Sequence, residues 1–440
     1  MIKKNHSGIH SEAFDYLCSK YVFRNNVVAG YLEFSKIGKI TQRKVEYGPW
    51  KMFDDRTMDT ILIDIHEKNL KHTKSSLESF INSITVSPDF DPFLEYFNEL
   101  PEWNGTDYID ELTKTITVKN PEFFKKIFKK FLVATVAGLI FENQSNDTCL
   151  ILKSNQGDGK SRWMRNMIPK HLSDTYFYEG PIDTGNKEHS ELLSANWFIN
   201  LDELDSLNKN KIDALKSFVT RQRIMHRKTW GHYNTKFTRR TSFLGTTNKS
   251  DFLTDLTGSR RWLVFDVLKI DYNHDVNLDG LWSQCYHLLV NEKMRYWFNI
   301  QEIQEINERN ELFRERSKEE IFLIENFEFI NENISKGEYM SSLMVLNKLA
   351  SCYPKTSMNL NSLKMGRILS KFSQNNKKVN GINQYKLNFI GIEPGLTPID
   401  TDAVNTTMPN QSYTVNPVQQ DINFNQKGSQ ESINEDDLPF

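Results

Sequence analysis

The segment Ser154-Asn155-Gln156-Gly157-Asp158-Gly159-Lys160-Ser161 constrains this chain more than any other. It is entered from the apolar run Thr148 to Leu152 and leads into a helix that begins near Lys160. Strand, tight glycine-containing turn and helix is the layout of a phosphate-binding loop. Backbone N–H groups of Ser154, Asn155, Gln156, Gly157, Asp158 and Gly159 converge on polyphosphate oxygens, Lys160 adds a mobile charge, and Ser161 offers a hydroxyl to Mg²⁺. In the pattern G-x-x-x-x-G-K-[ST], Ser154 stands where the first glycine belongs, so backbone freedom falls there and unusual loop geometry is expected. A polar turn capping an ordinary helix through Ser161 is the other reading of the same string. The surrounding residues have to decide between them.

About forty residues on, Trp197-Phe198-Ile199-Asn200-Leu201 is an apolar strand that ends in Asp202-Glu203. A Mg²⁺ coupled to Ser161 needs an acidic partner, and hydrolysis needs a base that orients water; Asp202 and Glu203 suit these two tasks. The run Ser242-Phe243-Leu244-Gly245-Thr246-Thr247-Asn248 is another strand with a polar end. There Asn248 is either a sensor that holds the attacking water or the γ-phosphate, or a turn-forming asparagine. Thr257-Gly258-Ser259-Arg260-Arg261-Trp262 places two arginines before a further strand. Arg260 or Arg261, reaching the γ-phosphate of a neighbouring subunit, would stabilise charge that develops during transfer. Taken without the other motifs, the pair reads as surface salt bridges.

Between the carboxylates and Asn248 lies the strongest local charge. Residues 221–240 hold Arg221, Arg223, Arg227, Lys228, Lys236, Arg239 and Arg240, no acids, and the rings of Trp230, Tyr233 and Phe237. Cations that track phosphates beside rings that stack bases are what single-stranded nucleic acid asks for, and a protein interface or a solvated loop is the other reading of the same segment. The stretch Arg227 to Tyr233 also predicts a hairpin turning near Gly231.

Residues 143–300 alternate strand candidates (Thr148 to Leu152, Trp197 to Leu201, Ser242 to Gly245, Trp262 to Val267) with helical stretches, which indicates an α/β domain with a largely parallel sheet. Around it the chain divides into an α+β region of unknown role (1–90), a helical collar (91–142), a helical connector (301–336), a winged-helix-like domain (337–394) and a disordered acidic tail (395–440). Lys125, Lys126, Lys129 and Lys130 in the collar read as a solvated helix face, or as contacts to nucleic acid. In the winged-helix-like domain Lys364, Arg367 and Lys371 recur at helical spacing and suit a phosphate backbone, although such a module equally contacts protein.

Composition narrows the rest. A net charge of −2 over 440 residues gives no global basicity, so any nucleic-acid surface is a local patch. Four scattered cysteines with no C-x-x-C pair argue against a zinc site and a disulfide framework. With no apolar run long enough to span a bilayer and no leader-like start, a cytoplasmic, soluble protein without membrane contact is expected.

The order Gln-Gly-Asp-Gly-Lys-Ser, Leu-Asp-Glu-Leu, Ala214-Leu215-Lys216-Ser217-Phe218, Gly-Thr-Thr-Asn and Thr-Gly-Ser-Arg-Arg-Trp resembles the virulence-associated protein E family over roughly residues 90–270. That family is similar to the superfamily 3 helicases within the AAA+ ATPases and is typical of phages and mobile genomic islands. The resemblance implies a P-loop AAA+ domain and a ring, commonly hexameric, that hydrolyses ATP with Mg²⁺ and moves along single-stranded or forked DNA. It assigns Lys160 and Ser161 to Walker A, Asp202 and Glu203 to Walker B, Asn248 to the sensor, and Arg260 or Arg261 to the trans finger. It also implies that the hairpin enters the ring channel, which makes Lys228, Trp230 and His232 candidates for gripping one strand. Larger relatives carry a primase, but residues 1–90 hold no primase-like acidic and histidine constellation, and priming is not expected. The expected function is an ATP-dependent DNA helicase or replication-initiation ATPase. An ATP-switched DNA-binding assembly factor that unwinds nothing, or a regulatory, phage-interference ATPase acting on host or phage replication proteins, are the alternatives.

Overall fold

The structure is a computed structural model that describes residues 12–40, 45–70, 72–204, 209–227, 234–253, 259–330, 336–357, 359–372 and 376–391. It divides into two compact units, 1–321 and 322–440. The first begins with helix α1 (Glu12–Lys20), strands β1 (Tyr21–Asn26), β2 (Tyr31–Ile40), β3 (Val45–Tyr47) and β4 (Lys51–Met52), helices α2 (Asp55–Glu67) and α3 (Lys74–Ile81), and β5 (Asp89–Phe90). These strands form a small sheet in which β1 and β2 run antiparallel. Its core gathers Leu17, Phe23, Met58, Ile61, Ile65, Leu77 and Ile81. Asn26, fully buried, donates from Nδ2 to Glu33 Oε1 at 2.7 Å and to the Tyr176 hydroxyl at 2.9 Å, and the second bond ties this sheet to a residue 150 positions further along the chain.

Next come α4 (Pro92–Glu99), α5 (Tyr108–Lys114), β6 (Ile116–Val118), α6 (Pro121–Ile140), β7 (Cys149–Lys153), α7 (Lys160–Arg165), α8 (Lys170–Tyr176), β8 (Phe177–Glu179), α9 (Lys187–Ala195) and β9 (Phe198–Leu201). After these lie α10 (Lys209–Val219), β10 (Arg223–Arg227), β11 (Asn234–Thr238), β12 (Ser242–Thr247), β13 (Trp262–Ile270), α11 (Leu278–Val290) and α12 (Ile300–Asn310). The main sheet has the order β6-β13-β7-β12-β9-β8. Strands β13, β7, β12, β9 and β8 are parallel, and β6 is antiparallel to β13. The expected mixed α/β architecture with a largely parallel sheet is therefore present, and the four anticipated strands are β7, β9, β12 and β13. The edge strand β8 was not anticipated. Only three residues long, it has too little apolar run to stand out.

Apolar residues fill both faces of these strands, as a sheet covered on two sides requires. Leu150, Leu152, Leu244, Leu263 and Phe265 face one core, while Cys149, Ile151, Ile199, Phe243 and Val264 face the other with Ile212, Leu215 and Phe218 of α10. The first core is dominated by α6, whose Phe124, Ile127, Phe128, Phe131, Leu132 and Val136 are almost wholly buried. Pro121 opens this helix at a position where its missing N–H costs nothing. The helix expected in a collar thus shares the core of the sheet. Of its lysines, Lys126 is exposed and Lys125 and Lys129 are half-buried, while Lys130 is turned into the core. Lys130 is buried on Glu302 at 2.8 Å, Lys126 meets Glu305 at 3.4 Å, and Lys125 pairs with Asp110.

Helix α13 (Lys318–Asn326) carries the chain across the division into the second unit, made of β14 (Phe327–Phe329), β15 (Glu338–Met340), α14 (Ser342–Cys352), α15 (Pro354–Ser357), α16 (Ser362–Phe372), β16 (Asn376–Val379) and β17 (Ile382–Phe389). Its strands pair antiparallel about β17. The core is Leu323, Val345, Leu349, Met365, Leu369, Tyr385 and Leu387. Asn380 and Gly381, at φ 49° and 81°, make the tight turn of the β16–β17 ribbon, since both turn positions need the left-handed region that these residues tolerate. The expected elements are present, a helix at α14, a second at α16 and the β16–β17 ribbon, with the short α15 between the helices and β14 and β15 added to the ribbon. The expected tail, 395–440, lies outside the described residues.

Candidate functional site

Strand β7 ends at Lys153 and α7 begins at Lys160, so the loop between them stands at the carboxyl edge of the sheet, where open α/β sheets bind ligands. Gly157 and Gly159 take φ of 90° and 86°, which explains glycine at both. Ser154 lies outside the left-handed region, so its φ does not call for glycine. The left-handed conformation that a first glycine would permit is not taken at Ser154. Its N–H instead continues the pairing of β7 with β12, donating to the Thr247 carbonyl at 3.3 Å.

Lys160 is buried, and an ammonium taken out of water needs acceptors on every side. Its Nζ donates to the Ser154 carbonyl at 3.0 Å, the Asn155 carbonyl at 2.8 Å and Asn248 Oδ1 at 2.9 Å, with Ser154 Oγ at 3.3 Å. Asn248 follows β12, which pairs with β7 in register from Phe243 opposite Cys149 to Thr247 opposite Lys153. Two motifs separated by 88 positions thus meet on one ammonium. Ser161 is half-buried beside Lys160, while Asn155, Gln156 and Gly157 are exposed at the loop tip.

The carboxylates come from the next strand. Strand β9 lies on the far side of β12, and Asp202 and Glu203 follow its last residue, both exposed. Thr246 holds them: its Oγ1 donates to Asp202 Oδ1 and accepts from the Glu203 N–H at 3.3 Å. Glu203 has φ 51°, a strained conformation for a side chain of its kind. Gly245 leaves the space this arrangement needs, because a Cβ there would stand 2.7 Å from Leu204 Cδ1. Thr246 lies within the Gly-Thr-Thr-Asn string, where its only local signal is a hydroxyl two residues before the asparagine.

On the other flank of β7, Asp266 of β13 bonds Lys153 at 2.8 Å and Lys119, bracing the strand that feeds the loop. Burial by itself would raise the Asp266 carboxyl, yet the hydrogen bonds from Lys119 and Lys153 hold it below the ordinary carboxylate range. Beyond β13, Tyr272 packs against Gly159, and Arg162 lies over its ring with 4.8 Å to the centroid. Neither Tyr272 nor Arg162 gave a sequence signal, since only tertiary folding brings them to the loop.

Arg260 and Arg261 precede β13, whose Trp262 pairs with Cys149 at the start of β7. The loop begins past Lys153, at least four strand residues further on, about 13 Å. The arginines therefore occupy the opposite end of the sheet from the loop of their own chain. Arg260 is exposed; Arg261 is half-buried, and its Nε is buried without a partner.

Strands β10 and β11 pair antiparallel from Arg223 opposite Thr238 to Arg227 opposite Asn234, while the anticipated turn near Gly231 lies outside the described residues. Lys228, Trp230 and His232 lie outside the described residues, and of Arg227 only the backbone is described. Two cations counted toward the basic patch are turned inward. Arg239, 1% exposed, pairs with Asp147 at 3.1 Å and donates to the Asn146 carbonyl; burial pushes its guanidinium down to about 10. Arg240 pairs with Asp91 at 2.7 Å and donates to the Leu139 carbonyl. They fasten the root of the hairpin rather than face a strand of DNA. In the second unit Lys364, Arg367 and Lys371 are all exposed on α16, opposite the buried Met365 and Leu369.

The fold and the site together define a mixed α/β domain whose polar residues converge at the carboxyl ends of parallel strands around one lysine. Residues 97–315 match the family model of the virulence-associated protein E-like domain, and through this domain the chain belongs to that family. No curated protein sequence matches the chain. Among solved structures, an apo structure of the NrS-1 C-terminal region is similar at 11% identity and TM-score 0.42, covering 86% of this chain and 98% of that one. The A form of the same region gives 12% and 0.43 with equal coverage, and a further A-form structure gives 13% and 0.35 over 68% and 66%.

Proposed function

We propose that this chain is a P-loop ATPase of the AAA+, superfamily 3 type that acts as a DNA helicase or replication-initiation ATPase of a phage or mobile genetic element, working as a ring of identical subunits on single-stranded or forked DNA. The observation that carries the reading is the contact of Lys160 Nζ with Asn248 Oδ1, made beside a strand that ends in Asp202 and Glu203. The strand order supports it, because β12 with Asn248 stands between the loop strand and the acid strand.

On this reading the polyphosphate takes over the place now filled by the carbonyls of Ser154 and Asn155, and Lys160 exchanges backbone oxygens for phosphate oxygens. Asp202 has no ion pair among the described residues, and with the Ser161 hydroxyl it fits a hard divalent cation such as Mg²⁺, which would neutralise charge on the phosphates. Glu203, held by Thr246, is the base that orients water, and Asn248 reads the terminal phosphate. Arg260 or Arg261, far from the loop of its own chain, serves a neighbour on this reading, where such a finger is worth about 10³ to 10⁵ in rate. The test is strand displacement on a forked DNA with ATP, alongside mass measurement: a ring that unwinds is expected, and a monomer without unwinding contradicts it.

A second reading is supported by α16. Its exposed Lys364, Arg367 and Lys371 suit duplex DNA, which favours an ATP-switched assembly factor if binding occurs without unwinding.

A further inference from the structure

Tyr272 stands directly beyond β13, the strand that flanks β7 on the side away from β12. Its ring closes over Gly159, so that a Cβ built there would lie 2.2 Å from Cδ1. The Asn166 side chain donates to the Tyr272 carbonyl at 2.7 Å and fastens this residue to the end of α7. Arg162, the residue after Ser161, covers the ring with its guanidinium; it is exposed and has no ion pair among the described residues.

The loop therefore has two chemically different ends. On the β12 side Asn248 touches Lys160, and Asp202 and Glu203 follow one strand further, so the reacting phosphate belongs there. A triphosphate laid along the loop from that end brings its nucleoside out at the other, on the β13 side. An aromatic ring and a guanidinium with no ion pair among the described residues are suited to that load: when the cation leaves the ring for the innermost phosphate and the sugar, the face it now covers is free to stack on a base.

We propose that Tyr272 and Arg162 form the wall on which the nucleoside of the bound nucleotide rests, with Tyr272 stacking on the base. This rests on the reading of the loop as a triphosphate site. Stacking uses the face that every base possesses and not its hydrogen-bonding edge, so the wall discriminates weakly among bases and admits GTP as well as ATP.

The experiment compares binding of Mg-ATP and of Mg-tripolyphosphate, which has the phosphates and no nucleoside, to the full chain. Tyr272→Leu keeps apolar packing on Gly159 but removes the ring; it is expected to weaken Mg-ATP about tenfold or more while leaving tripolyphosphate unchanged. Tyr272→Phe is expected to bind both like the unmodified chain. Equal ATP affinity in Tyr272→Leu overturns the inference and leaves the triphosphate reading standing, as does a parallel loss of both ligands, which marks a damaged loop. If the unmodified chain binds neither ligand, the triphosphate reading itself falls and the wall with it.

Discussion

At the scale of single residues, the candidate site depends on a few positions where geometry leaves no choice. Gly159 combines φ 86° with the Tyr272 ring pressed against it, so a methyl group there meets both backbone strain and a hard contact. Gly159→Ala is expected to lower stability by about 1–3 kcal/mol and to abolish nucleotide binding, checked by urea unfolding and by titration with Mg-ATP. Ser154 is the opposite case. The sequence pattern marked it as a defect because a glycine was missing, yet no positive φ is required there, and its hydroxyl joins the oxygens around Lys160. Motif spacing made Lys160, Asp202, Glu203 and Asn248 legible, because a lysine and a strand-end acid or amide have recognisable local contexts. Thr246 and Tyr272 were not legible: their roles exist only once β12 and β13 flank β7.

At the scale of elements, the parallel strands were readable from their apolar runs, and the ribbon turn from Asn380-Gly381. What composition misjudged was the direction in which charges point. A run of basic residues before β12 reads as one patch, but Arg239 and Arg240 sit where the chain enters the core, and each finds an acid to pair with. The Arg240–Asp91 pair, with side chains 11% and 10% exposed, joins the root of the hairpin to α4. Asp91→Asn, which keeps the capping of α4, and Arg240→Met are each expected to cost about 3 kcal/mol, since each leaves a charge buried alone. The double variant should lose less than the sum, and a double-mutant cycle by urea unfolding measures the difference. Helix α16 offers the converse test. Reversing Lys364 and Arg367 to Glu should weaken duplex DNA binding similarly for all sequences and reduce its salt slope by about one per residue; unchanged binding would mean that this face meets protein instead.

At the scale of the whole molecule, the chain joins an α/β unit that carries the loop around Lys160 to a smaller helix-and-ribbon unit with an exposed basic helix. Arg260 and Arg261 stand before β13, at the end of the sheet opposite the loop of their own chain, so under the proposed function activity depends on assembly. Hydrolysis should then rise more steeply than protein concentration, and unwinding should require it. The central claim, that the loop around Lys160 is an ATP-hydrolysing site, is tested most directly by steady-state phosphate release from Mg-ATP by the full chain, with and without single-stranded DNA. The expected result is turnover that DNA accelerates and that Lys160→Ala and Glu203→Gln both abolish, with Glu203→Gln still binding ATP. No turnover in either condition, or the same turnover in Lys160→Ala, would contradict it.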